Sequence, residues 1–137
     1  MKRNLLLTPG PSKVPVELCE VLGRPIIHHR TPQFQQVLKD VFQGLKQVVG
    51  TSSDVYLLAS SGTGAMEAAV ANLLSPGDKA ITVEYGKFGE RWTSLVKAYK
   101  ATPIVLKIAW GKAVTAEEVK AALQENPDAK AVFVTHC

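Results

Sequence analysis

Val55-Tyr56-Leu57-Leu58-Ala59-Ser60-Ser61-Gly62-Thr63-Gly64-Ala65-Met66-Glu67-Ala68-Ala69 decides how this chain is read. Val55–Ala59 is an apolar run of strand length. Ser60–Gly64 is a corner of small residues, and the stretch from Ala65 to Leu74 reads as a helix. Glycine lets another group approach the backbone closely, because it carries no Cβ. The first N–H groups of a helix have no partner inside the helix, and the helix dipole adds partial positive charge there. A strand, a glycine corner and a helix start in succession therefore suit an anion, above all a phosphate. Gly62 and Thr63 are the candidate ligands.

Outward from this corner the pattern alternates. Ser75-Pro76-Gly77-Asp78 stops the first helix, and Lys79–Glu84 reads as a strand. Gly89–Ala101 is predicted as a helix and Pro103–Ala109 as a strand. Thr115 and Glu118 fit a capping box that opens a helix to about Gln124. Ala131–Thr135 is a last strand. Strands alternating with helices predict an α/β fold with a doubly wound, mostly parallel sheet. Ligands of such sheets sit outside the carboxyl ends of the strands, where the Ser61–Gly64 corner is expected.

Toward the N-terminus, Thr31 and Pro32 read as the cap and first residue of a helix. Phe34, Val37, Leu38, Val41, Leu45, Val48 and Val49 then recur at helical spacing, up to a break at Gly50–Asp54. Pro9, Pro11 and Pro15 predict an extended, irregular arm before it. The chain thus divides into an arm over residues 1–30, a long helix and linker over 31–54, and an α/β region over 55–137. It stops just after an apolar strand, at Thr135-His136-Cys137. A parallel sheet ending there bares an edge, so the reading is part of a larger domain.

Composition excludes several classes. The chain has 137 residues, of which 46% are hydrophobic, about enough for one globular domain. No apolar run approaches the ~18 residues of a membrane span. Leu5-Leu6-Leu7 is too short for the apolar part of a secretory signal, so a cytoplasmic protein is expected. The net charge of +4 comes from scattered lysines and arginines, which fits a solvated surface better than a nucleic-acid face. Cys19 and Cys137 form neither a disulfide framework nor a zinc motif.

The corner can be compared with known phosphate cradles. A Walker loop requires Gly-Lys-Ser/Thr, and Gly64 is followed by Ala65-Met66. A dinucleotide fingerprint requires a third glycine where this chain has Glu67, although Glu84 stands at a suitable distance for a ribose. Pyridoxal phosphate requires the same helix terminus plus a flat side chain over its ring. Phe88, between Gly86 and Gly89, offers such a face. Spacing alone leaves Phe88 open, because Phe88, Trp92, Leu95 and Tyr99 also form a helical core stripe. His28-His29-Arg30 stands apart as a cationic turn. A metal site there lacks a second ligand cluster, which leaves a solvated turn or an anion-facing loop. Glu67 reads as structural, favoured by the helix start or a neighbour.

Thr8-Pro9-Gly10-Pro11, Ser61–Ala68, Pro76-Gly77-Asp78, Tyr85–Arg91 and Val134-Thr135-His136 occur in this order. Together they resemble the N-terminal part of class V pyridoxal-phosphate-dependent aminotransferases. The likeness is to the alanine–glyoxylate and serine–glyoxylate type, which includes proteins labelled as a soluble hydrogenase small subunit. The resemblance spans nearly the whole chain. It implies the large domain of a fold-type-I transferase and a homodimer with active sites between subunits. The arm and first helix would pack across the dimer interface. It implies that Ser61, Gly62 and Thr63 hold the phosphate. Phe88 matches the aromatic, often tryptophan, that stacks on the cofactor ring. His29 and Arg30 match a loop near the partner subunit's substrate site. The family's Schiff-base lysine, the aspartate at the pyridinium nitrogen and the arginine for the substrate carboxylate fall past position 137. No catalytic residue is therefore assigned within the chain, and the chain alone is expected to be inactive. The activity implied is transfer of an amino group from alanine or serine to an oxo acid such as glyoxylate. A non-catalytic hydrogenase subunit and a Rossmann-like dinucleotide-binding module are the alternatives.

Overall fold

Ala80-Ile81-Thr82-Val83 is an unbroken buried run, which identifies a strand covered on both faces. It belongs to β1 (Lys79–Glu84), the middle strand of a parallel sheet ordered β2-β1-β3. β2 spans Thr102–Lys107 and β3 spans Ala129–Phe133. Ile81 pairs with Ile104 on one side and Val132 on the other. The chain leaves β1 for one neighbour and then returns to the opposite one, so the strand order reverses at β1.

The computed structural model describes residues 5–8 and 10–136. The basic start at residues 1–4, Pro9 of the Thr8–Pro11 motif, and Cys137 lie outside them. The chain divides into two units, Met1–Leu57 and Leu58–Cys137.

The second unit holds the sheet and three helices: α3 (Gly62–Leu73), α4 (Lys87–Ala98) and α5 (Ala116–Glu125). Val70 and Leu74 at the end of α3, Val96 of α4, Ala80, Ala101 and Phe133 form the core. Trp92, Leu95 and Tyr99 pack against it. Thr82 is the polar member of the buried run. Its hydroxyl meets that of Thr93 of α4 at 2.7 Å, so neither is left unpaired. The predicted capping box is present: the Thr115 N–H donates to Glu118 Oε2 at 2.7 Å, and the Glu118 N–H donates to Thr115 Oγ1 at 3.2 Å.

The first unit contains α1 (Val16–Leu22) and α2 (Pro32–Val49). In α2 the predicted start holds: Thr31 Oγ1 accepts from the Phe34 N–H at 3.3 Å, and Pro32 follows the cap. Gly50 ends it with φ 70°, in the left-handed region. Thr51 N–H donates to Lys46 O and Gly50 N–H to Gln47 O, the paired bonds of a Schellman end. The apolar stripe of α2 has no buried residue.

Two expectations are corrected. The arm is not irregular throughout, because α1 begins directly after Pro15. Pro15 has φ −55° and ψ 146°, which suits the residue before a helix. Val55–Ala59 is not a strand of the sheet. Tyr56, Leu57 and Leu58 are exposed.

Candidate functional site

The corner begins α3 three residues earlier than the sequence suggests, at Gly62 rather than Ala65. Ser61 is the N-cap, with φ −90° and ψ 173°, and its side chain makes no capping bond. The first helical bond runs from the Ala65 N–H to Ser61 O at 3.2 Å. The amides before it sit in the turn where helix donors lack internal acceptors. The glycines have different roles. A Cβ on Gly64 would collide with the Ser60 side chain, so Gly64 is what allows the corner to close. A Cβ on Gly62 would meet nothing within 4 Å, so open space lies beside the helix start.

The wall opposite is the first turn of α4, which directly follows the carboxyl end of β1. Gly89 fixes its height. A Cβ there would run into the Val83 carbonyl oxygen and lie 2.9 Å from Glu84 Cα. Only glycine lets the helix rest this closely on the strand end. The surroundings of Phe88 and Trp92 differ. Trp92 stacks on Phe133 with ring centroids 4.7 Å apart, and its Nε1–H donates to Thr135 Oγ1 at 3.1 Å. Phe88, one turn earlier, is 51% exposed and outside the core. The stripe packed on the core therefore starts at Trp92, and Phe88 stays exposed.

Arg91 connects the two walls. Its Nη1 donates to Thr63 Oγ1 at 2.7 Å, and its guanidinium carbon lies 5.2 Å from the centroid of the Phe88 ring. The phosphate candidate and the stacking candidate thus share one cation, which the sequence reading did not single out. Thr63 and Arg91 are 28 positions apart, and no periodicity links them. Lower on the same helices, Tyr99 Oη donates to Glu67 Oε1 at 2.9 Å. That bond, reinforced by partial burial and the carboxylate's charge, raises the Tyr99 pKa above its ordinary value. Glu67 is the residue that stands where a dinucleotide fingerprint needs its third glycine. Here it joins α3 to α4, the structural role expected of it.

His29 and Arg30 belong to the Met1–Leu57 unit. Both are exposed. The His28 and His29 rings stack with centroids 4.6 Å apart, and the Arg30 N–H donates to His28 Nδ1 at 3.1 Å. Thr31 Oγ1 donates to His28 O at 2.8 Å and closes the turn. No group of three or more metal-ligating side chains occurs among the described residues.

Known proteins resemble this chain over nearly its whole length. The family model described as aminotransferase class-V matches residues 19–137. An uncharacterized aminotransferase of Methanocaldococcus jannaschii is 41% identical over 98% of this chain and 35% of its own length. A soluble hydrogenase small subunit of a Synechococcus species is 39% identical over the same shares. An L-aspartate–glyoxylate aminotransferase of Paracoccus denitrificans is 32% identical, again over 98% and 35%. Among solved structures, pyridoxamine-pyruvate aminotransferase from Mesorhizobium loti superposes with a TM-score of 0.89 at 25% identity, covering 95% of this chain and 33% of that one. The chain spans about a third of the length of the curated relatives it matches. With the family model covering nearly all of it, the chain belongs to the class V aminotransferases.

Proposed function

We propose that the protein carrying this chain is a cytoplasmic, pyridoxal-phosphate-dependent aminotransferase. It moves an amino group from a small amino acid, alanine or serine, to an oxo acid such as glyoxylate. The observation that carries this reading is the Thr63–Arg91–Phe88 constellation at the uncapped start of α3. The residues present suit the cofactor. A phosphate needs amide donors, positive charge and space, and these meet beside Gly62. A pyridine ring needs a flat apolar cover, which the exposed Phe88 supplies.

Pyridoxal phosphate, when bound, supplies the electron sink that amino-group transfer requires. This chain's residues hold and orient it. The Gly62 and Thr63 amides and the Ser61 and Thr63 hydroxyls donate to the phosphate. Phe88 covers the ring. In the proposed homodimer, His29 and Arg30 face the substrate carboxylate, for which the planar guanidinium fork is well shaped.

The test uses the full-length protein. It should take up one equivalent of pyridoxal phosphate per chain, and it should convert glyoxylate to glycine with alanine or serine as donor. Failure to bind the cofactor sinks the reading. Binding without amino transfer would favour a non-catalytic subunit, the reading suggested by the name of the Synechococcus relative.

A further inference from the structure

We infer that Arg91 is a positioning residue of the phosphate site, acting through Thr63; this rests on the pyridoxal phosphate reading above. Three observations support it. First, a guanidinium has donors only, so the 2.7 Å contact makes Thr63 Oγ1 the acceptor. The Thr63 O–H hydrogen is then left for another acceptor, and an anion in the open space beside Gly62 would be one. Without Arg91 the hydroxyl can rotate and spend its hydrogen on a neighbouring acceptor.

Second, Arg91 is half-buried, yet it forms none of the ion pairs among the described residues. Nearby Glu90 is bonded to Lys87 at 2.7 Å. A partly desolvated cation without a carboxylate favours an incoming anion. Third, Phe88 holds the guanidinium from one ring face, which limits the rotamers open to Arg91. An aromatic ring has two faces, so this contact leaves the other for a flat ligand.

Arg91 therefore sets the direction of the Thr63 hydroxyl and supplies the charge behind it. The phosphate end of the ligand should sense its loss, and the ring end should not. In the full-length apoprotein, we expect Arg91→Gln to weaken pyridoxal phosphate binding by roughly 10- to 100-fold, the range for a hydrogen bond to a charged group. Binding of pyridoxal, which lacks the phosphate, should change less than about threefold, within the usual context scatter of such terms. Arg91→Lys keeps the charge without the fork, so it should recover part of the loss. In a Thr63→Val background, Arg91→Gln should cost less than it does in the wild type, because only its charge and not its hydroxyl target remains to be lost.

The outcomes separate two failures. If wild-type protein binds no pyridoxal phosphate, the cofactor reading fails and this inference falls with it. If the wild type binds but Arg91→Gln binds equally well, Arg91 has no such role. Equal losses for pyridoxal and its phosphate would indicate general damage to α4, and fully additive losses in the double variant would show that Arg91 does not act through Thr63; either would overturn it.

Discussion

Replacing Gly89 by alanine tests the contact that places the site. The new Cβ would point at backbone, namely the Val83 carbonyl oxygen and Glu84 Cα, the latter at 2.9 Å. Backbone in the central strand cannot swing aside as a flexible side chain can. Overpacking of this kind costs roughly 1–3 kcal/mol. Alanine's better helix propensity offsets roughly 0.5–1 kcal/mol of that. The expected net loss is roughly 0–2.5 kcal/mol, centred a little above 1 kcal/mol, or a fall in Tm centred on roughly 2–5 °C. The same substitution at Gly44 is the control. Gly44 lies inside α2, and a Cβ there would meet nothing within 4 Å. Within this chain alone alanine there gains roughly 0.5–1 kcal/mol of helix propensity, so its Tm should not fall as that of Gly89→Ala does. Thermal unfolding of both variants of the full-length protein at one scan rate gives the comparison. If Gly89→Ala melts at or above wild type, or both variants shift the same way, α4 does not rest on β1 as described.

Three further outcomes are expected. Thr82→Val strands the Thr93 hydroxyl in the core and should cost roughly 1–3 kcal/mol in denaturant titration, while Thr82→Val with Thr93→Val should cost less than the single variant. Phe88→Ala removes a half-exposed ring, so the melting temperature should barely move while pyridoxal phosphate affinity, followed by fluorescence titration, falls roughly 2- to 12-fold and Phe88→Trp keeps it. The Thr115 backbone and hydroxyl bonds hold Glu118 below its ordinary pKa of 4.5; a depressed folded pKa adds stability above that value and loses it as pH falls through the folded one, so the gap in melting temperature between wild type and Glu118→Gln should be open at neutral pH and close in acid.

Signals carried by neighbouring residues were legible in the sequence. Thr31-Pro32 and Gly50 marked both ends of α2, and Thr115 with Glu118 marked the start of α5, because each is a hydrogen-bond pattern spanning a few positions. At the Ser61–Gly64 corner the glycines signalled a helix start, but three residues late, because no capping bond from Ser61 marks it. Val55–Ala59 misled because apolar composition indicates what a strand prefers but not whether a neighbour exists to pair with it. α1 was missed because Pro15 was read as prolonging an extended arm, although proline also suits the front of a helix. Gly64 and Gly62 looked alike in the sequence, and only the Ser60 side chain tells them apart. The links from Thr63 to Arg91 and from Glu67 to Tyr99 span 28 and 32 positions. They exist only after α3 and α4 have packed on the sheet, so no local pattern announces them.

One residue's lack of a side chain explains why Phe88 and Trp92 differ in surroundings while sharing a helical stripe. Gly89 seats the first turn of α4 on the end of β1, where the sheet stops and nothing remains for Phe88 to cover. One turn on, Trp92 meets Phe133 at the end of β3 and is drawn into the core. Arg91, between them in sequence, reaches α3 at Thr63. Pushing the helix outward at Gly89 would therefore shift the aromatic face and the cation together. That coupling makes a joint prediction: any substitution at Gly89 that the fold survives should weaken cofactor binding through both Phe88 and Arg91. Its effect should exceed that of Phe88→Ala alone, although Gly89 itself touches no ligand. Cofactor affinity in Gly89→Ala equal to wild type, despite a lowered melting temperature, would show that the rim adjusts independently of the helix seat.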